Sequence, residues 1–301
     1  MRSGEPHSAG GAVMLPVIGL LIVIAAVVSG FSLAGGHVGA LVHPSELVTI
    51  GGSAIGALVV MSPFSVLRNL LRGVVQSFQG NPFDRETYVE LFQLLYQLFR
   101  TARRDGLLAL EPHLVDPSAS PIFQRYPRIN SSPLAVEFIR GALRPVMDGA
   151  VTPQQLQSLL DSEIRAADEE RRAPANIMSR TADSLPGFGI VAAVLGVVVT
   201  MTHIGGPVEE IGQKVGAALV GTFLGILLSY GFIAPLAVRM ELQGFAETGF
   251  LRAIAAAITG FVGELPPKVA VEAARRGLPH DVRPDSDELE QQLKQVDAFH
   301  D

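Results

Sequence analysis

The chain has 301 residues, 48% hydrophobic and 17% charged, and the two kinds are segregated into blocks, which excludes an ordinary soluble enzyme and points to membrane segments alternating with aqueous ones. A net charge of −6, with basic residues scattered in pairs such as Arg103-Arg104 and Arg171-Arg172, gives no footprint for nucleic acid. With no cysteine, disulfides, thiolate catalysis and Cys-ligated metals are excluded, and with no tryptophan there is no Trp belt at the membrane boundaries.

Residues 1–11 read as an N-terminal tail and 12–33 as the first charge-free apolar run. Arg2 ahead of an apolar stretch, with small residues between Ser29 and Gly36, also fits a cleavable signal peptide, and Met14 is an alternative start. The run is longer than a usual signal core and three more follow, which favours a membrane helix. Residues 47–67 form the second run, diluted by Thr49, Ser53, Ser62 and Pro63, so that 12–67 holds the first two spans. Residues 184–204 and 215–238 supply the third and fourth, within a 184–238 membrane segment. At 1.5 Å per residue each is about 30 Å long or more, enough to cross a bilayer.

Between the pairs, 68–183 reads as a helical cytoplasmic domain. Residues 84–104 place Tyr88, Leu91, Leu95, Leu98 and Phe99 on one helical face, and Gly106 interrupts the pattern before Leu107–Leu110 and Glu111-Pro112. Residues 133–146 and 153–170 predict two further helices. The C-terminal region, 239–301, breaks at Pro266-Pro267 and ends in a helix over 285–296. Lys and Arg are absent from 34–46 but present as Arg68, Arg72, Arg171, Arg172 and Arg180, which places both termini and the large loop in the cytoplasm.

The four runs contain no acidic or basic side chain. Ion relays through a bilayer need ionisable groups, so any ion this chain moves requires a charged group from elsewhere. What remains is Thr200, Thr202, Thr222, Ser229 and Tyr230, most of them expected to bond back to their own helix, and His203 at the membrane boundary. Glycines and alanines at helical spacing (Gly52 and Gly56; Gly189, Ala193 and Gly196; Gly221 and Gly225) predict close helix approach and a bundle or oligomer. Pro186 and Pro235 remove backbone donors and invite kinks. No phosphate loop, nucleophile elbow or zinc motif occurs and the seven histidines are dispersed, so neither a catalytic nor a metal site is expected.

Five stretches carry a family resemblance: Asp183-Ser-Leu-Pro-Gly-Phe-Gly-Ile-Val-Ala-Ala-Val-Leu-Gly196, Val220-Gly-Thr-Phe-Leu-Gly-Ile-Leu-Leu-Ser-Tyr-Gly-Phe-Ile-Ala-Pro-Leu236, Pro174-Ala-Asn176, Ser120-Pro-Ile-Phe-Gln-Arg-Tyr-Pro-Arg128 and Gly39-Ala-Leu-Val-His-Pro-Ser-Glu-Leu47. Together they resemble the flagellar motor stator family of MotA and PomA, over nearly the whole chain after Met14. The resemblance implies an all-α, polytopic membrane protein of the bacterial inner membrane, with four transmembrane helices and a helical cytoplasmic domain. It implies a homopentamer around two copies of a single-span, peptidoglycan-binding MotB-type partner, which supplies the ion-binding aspartate.

By the same resemblance, Pro186, Ala193, Thr222 and Pro235 serve the ion pathway and its conformational coupling. Arg103, Arg104, Glu111 and Glu163 face the rotor protein FliG, and the spans contact membrane lipid. Arg104 doubling the positive charge and Pro112 following Glu111 depart from the family pattern, which implies redundancy among these charges. Sodium-driven relatives carry a hydroxyl where this chain has Ala193, so protons rather than sodium are expected, with no cofactor. The related proton-channel subunits ExbB and TolQ, which energise outer-membrane processes, are the alternative; they have three spans and lack the Arg103 to Glu111 loop pattern.

Overall fold

A computed structural model describes residues 9–298, with side chains from 15 to 297. The expected tail lies outside the described residues as far as residue 8. The elements in chain order are α1 (Ala9–Leu33), α2 (Pro44–Met61), α3 (Phe64–Ser77), α4 (Arg85–Asp105), α5 (Glu111–Val115), α6 (Pro127–Asn130), α7 (Pro133–Met147), α8 (Pro153–Met201), α9 (Val208–Ile226), α10 (Ala234–Val262), α11 (Pro267–Arg276) and α12 (Ser286–Ala298). A π-helical segment, Leu227–Ile233, joins α9 to α10 without a break. Among the described residues every regular element is helical. The chain folds as two units, one from residues 1–80 and 170–243 and the other from 81–169 and 244–301.

The first unit holds the apolar helices. α1 leaves Leu15, Leu21 and Ile22 exposed and buries none of its apolar window within the chain. Val23 reaches towards Gly231 of the π segment, but a helix hydrophobic all round and this little covered is suited to lipid or another chain, and not to water. α2 starts at Pro44, whose missing N–H costs nothing in a first turn, and stops at Met61 because Ser62 is extended ahead of Pro63. The second span is therefore shorter at its end than the apolar run to residue 67. Phe64 to Leu67 belong instead to α3, whose N-cap is Pro63. α3 is two-faced. Leu70 packs with Ala175, Met178, Ala237 and Met240, and the Gln76 carbonyl accepts from Gln243 Nε2 at 2.9 Å. Phe64, Leu71 and Val75 stay exposed.

Two expectations change for the long helices. Residues 153–170 and the third span are one 49-residue helix, α8. The prolines inside it, Pro174 and Pro186, each remove one hydrogen bond without ending it, since the stretch 171–183 between the apolar and charged parts contains no glycine. The fourth span likewise extends well past residues 215–238, forming with its π segment one helical stretch, Val208–Val262.

The second unit has a conventional core. Asp84 caps α4 by accepting the Thr87 N–H at 2.8 Å. The α4 face buries Tyr88, Leu91, Phe92, Leu95, Leu98 and Phe99, and Phe99 stacks on Phe261 with ring centroids 4.4 Å apart. Gly106 ends α4 at φ +90, a conformation L side chains rarely adopt, and turns the chain into the short 3₁₀ turn Leu107–Leu110. Arg128 ties the start of α6 to α4 through the carboxylates of Asp84, Glu86 and Glu90.

Candidate ion pathway and partner surface

In the first unit the third span, carried by α8, and the fourth, beginning in α9, touch through their backbones. A Cβ added to Gly225 would lie 2.7 Å from the Leu185 carbonyl oxygen and 2.8 Å from Gly189 Cα. One on Gly189 would lie 2.9 Å from the Gly221 carbonyl, and one on Gly196 would meet the Ala218 Cβ at 2.7 Å. Only glycine permits such an approach. The small-residue stripes of the third and fourth spans are therefore one interface. Those of the second span are not part of it, since nothing lies within 4 Å of a Cβ built at Gly52 or Gly56.

This interface brings together three of the four residues expected to serve an ion pathway. Pro186 follows Leu185 at one end of it. Ala193 places its backbone nitrogen 3.2 Å from a Cβ position on Gly221, and the Thr222 Cα lies 3.3 Å from that on Gly189. Ala193 and Thr222 are both half-buried. Pro235 stands apart, exposed, two residues beyond the π segment. None of the four is titratable, so this contact supplies no proton site of its own.

The hydroxyl residues divide. Thr200 donates to the Gly196 carbonyl at 2.8 Å and Thr202 to the Val199 carbonyl at 2.7 Å, the expected bonds to their own helix. Ser229 does otherwise: fully buried in the π segment, it donates across the interface to the Ala182 carbonyl at 2.6 Å. The signal was present in the sequence, because Pro186 cannot make the helical bond to the carbonyl four residues back, which is Ala182.

A second missed residue is Glu46. The charge-free run begins at residue 47, but α2 begins at Pro44, which draws Glu46 into the helix and the second apolar span. It is 7% exposed and accepts a hydrogen bond from Ser45 Oγ at 2.5 Å. A carboxylate in a first helical turn sits at the positive end of the helix dipole. Pro44, read as a helix start, would have found it.

In the second unit the four residues expected to face a rotor are placed differently from one another. Arg103, in the last turn of α4, donates to the backbone carbonyl of Glu264 at 3.3 Å. Glu264 itself has φ +68. Arg104 is ion-paired with Asp105 at 2.8 Å. Glu111 opens α5, directly after the 3₁₀ turn that Gly106 starts. It and Glu163 on α8 are exposed, with no hydrogen bond or ion pair among the described residues. The surface thus offers two free carboxylates and two partly engaged guanidinium groups.

Known proteins resemble this chain over most of its length. Residues 17–106 match the model of the Motility protein A N-terminal domain, and residues 131–244 match that of the MotA/TolQ/ExbB proton channel family. Motility protein A of Salmonella typhimurium is 37% identical over 283 residues, covering 94% of this chain and 96% of that protein. Chemotaxis protein LafT of Vibrio parahaemolyticus is 35% identical over 285 residues, 95% of this chain and all of that protein. Two solved structures share the fold: that of C. jejuni MotAB at a TM-score of 0.76 and 19% identity, covering 91% of this chain and 99% of that one, and that of the Bacillus subtilis flagellar MotAB stator complex at 0.71 and 23%, covering 91% and 98%. With four helices among the described residues long and apolar enough to cross a membrane, this chain belongs to the motility protein A family of multi-pass membrane proteins.

Proposed function

We propose that the chain is the stator subunit of a bacterial flagellar motor, in which ion flow through a complex with a MotB-type single-span partner drives torque on the rotor. The observation that carries this reading is the backbone contact between the third and fourth spans. It brings Ala193 against Gly221 and Thr222 against Gly189 but provides no ionisable group, which is what a channel wall needs if the partner brings the carboxylate. One charge crossing 100 mV supplies about 2.3 kcal/mol, a step repeated for every ion moved.

The finer parts of the reading follow. Protons are the translocated ion, because Ala193 offers no oxygen to a hard cation that wants several. The exposed apolar surface of α1, α2 and the third span is covered by inner-membrane lipid and by neighbouring copies in a pentamer around a partner dimer. The second unit and both termini are cytoplasmic. Arg103, Arg104, Glu111 and Glu163 meet FliG through exposed charge pairs worth about 0–1 kcal/mol each, weak enough for repeated engagement and release. The N-terminal motility model over residues 17–106 favours this over the ExbB and TolQ alternative, in which the same channel fold energises outer-membrane processes.

Deleting the chain is expected to leave assembled but paralysed flagella, and affinity purification to recover a single-span peptidoglycan-binding protein. Normal swimming after deletion would refute the stator reading. Strict sodium dependence of swimming, with the proton gradient held constant, would refute the proton assignment alone.

A further inference from the structure

Pro186 lies inside α8, so the carbonyl of Ala182 loses the amide that would ordinarily satisfy it. Ala182 is 1% exposed, where an unsatisfied carbonyl is costly. The fourth span supplies the missing donor: Ser229 Oγ, itself fully buried, lies 2.6 Å from that oxygen. Ser229 occupies the one π-helical stretch among the described residues, Leu227–Ile233, and its own carbonyl accepts from the Ala234 N–H five residues on. Pro235 comes next. A π-turn widens the helix by one residue, which redirects side chains, and such turns gather at working sites. One serine therefore joins the proline break of the third span to the irregular turn ahead of the proline of the fourth.

We propose that Ser229 is a positioning residue for ion-driven motion: its hydroxyl holds the Ala182 carbonyl and so sets the resting geometry of the Pro186 break against the fourth span. The proposal rests on the stator reading and deepens it. The π-turn is what aims the hydroxyl. When Pro186 moves, the bond to Ala182 can be released and remade without disturbing either helix's remaining ladder.

The contact and the function are tested separately, in the full complex with its partner. Thermal unfolding is compared for the wild type, Ser229→Ala, Pro186→Ala and the double variant. Loss of the hydroxyl is expected to lower the melting temperature when Pro186 is present and to have little effect in the Pro186→Ala background, where alanine restores the helical amide. An equal shift in both backgrounds overturns the proposal. In cells, Ser229→Ala is expected to slow single-motor rotation at unchanged stator occupancy by about fivefold, the population shift that one net hydrogen bond can hold, and Ser229→Thr, which keeps the hydroxyl, to recover part of it. Wild-type rotation of Ser229→Ala at wild-type occupancy also overturns it. A wild-type complex that turns no motor would instead refute the stator reading, while the unfolding cycle would still report on the contact.

Discussion

The two units are held together in opposite ways. In the unit of residues 81–169 and 244–301, large side chains fill the interior: Tyr88, Phe92, Phe99, Phe123 and Phe250 are all 2% exposed or less. In the unit of 1–80 and 170–243, the decisive contact between the third and fourth spans is made where side chains are missing, at Gly189, Gly196, Gly221 and Gly225. The first strategy is that of water-soluble cores, where burial of apolar area drives assembly. In lipid that drive is absent, and close backbone packing and buried hydrogen bonds replace it. A glycine interface also leaves room for movement, since few interlocked side chains have to be repacked when one helix shifts against another.

Substitutions that remove or add volume separate the two strategies. The largest loss of stability is expected from Phe99→Ala, which empties the stack on Phe261 and should cost about 3–5 kcal/mol in chemical denaturation of the full chain. A cost below 1 kcal/mol would mean that the core is not tightly packed. Gly225→Val adds bulk where a single Cβ would already stand 2.7 Å from the Leu185 carbonyl. It should cost about 1–3 kcal/mol and abolish motility, because the spans must separate. Unchanged swimming of that variant would break the comparison outright.

Smaller effects come from the charged surface. The Glu272 carboxyl is held down to about 2 by hydrogen bonds from Arg275 and, less, from Arg276. Its contribution to stability is thus present above the ordinary carboxylate range and lost as pH falls from there towards 2. Glu272→Gln should remove about 1 kcal/mol of stability at neutral pH, after solvent screening, and flatten the acid side of the stability profile. An unaltered acid profile would show that the pair contributes nothing. Glu111→Gln or Glu163→Gln alone should change stability by less than about 0.5 kcal/mol. Reversing charge at Arg103 and Glu111 together should reduce rotation measured on tethered cells, with expression unchanged.

The sequence made α4, α7 and α12 of the second unit legible to within a few residues. Asp84 marked the start of α4, Gly106 its end, and Pro133 the start of α7, while Pro266-Pro267 was read as a break and not as the start of α11. Their apolar faces repeat at the helical period and their stops are chemically explicit. The apolar spans were legible as existing but not in extent. Hydropathy reports where lipid can be tolerated and is silent on where hydrogen bonding continues, so α8 ran on through Pro174 and Pro186, and α2 stopped short at Ser62-Pro63. Of the candidate site, Pro186, Ala193 and Thr222 were found through motif resemblance and brought together by glycines the sequence also showed. Ser229 was not singled out because a hydroxyl in a helix has a local partner available in every case. Only the proline four residues beyond Ala182, on another helix, makes the distant one preferable. Glu46 was missed because the apolar run was read from its first uncharged residue and not from the proline that starts the helix.

The central claim is that this chain builds the wall of a proton pathway and leaves the titrating carboxylate to its partner. Proteoliposomes carrying an interior pH-sensitive dye, prepared with the chain alone and with its co-purified single-span partner, test it most directly under an imposed membrane potential. Acidification is expected only when the partner is present and carries its intramembrane aspartate. Equal proton uptake by the chain alone would contradict the claim, and would turn attention to Glu46 as a carboxylate of the chain's own.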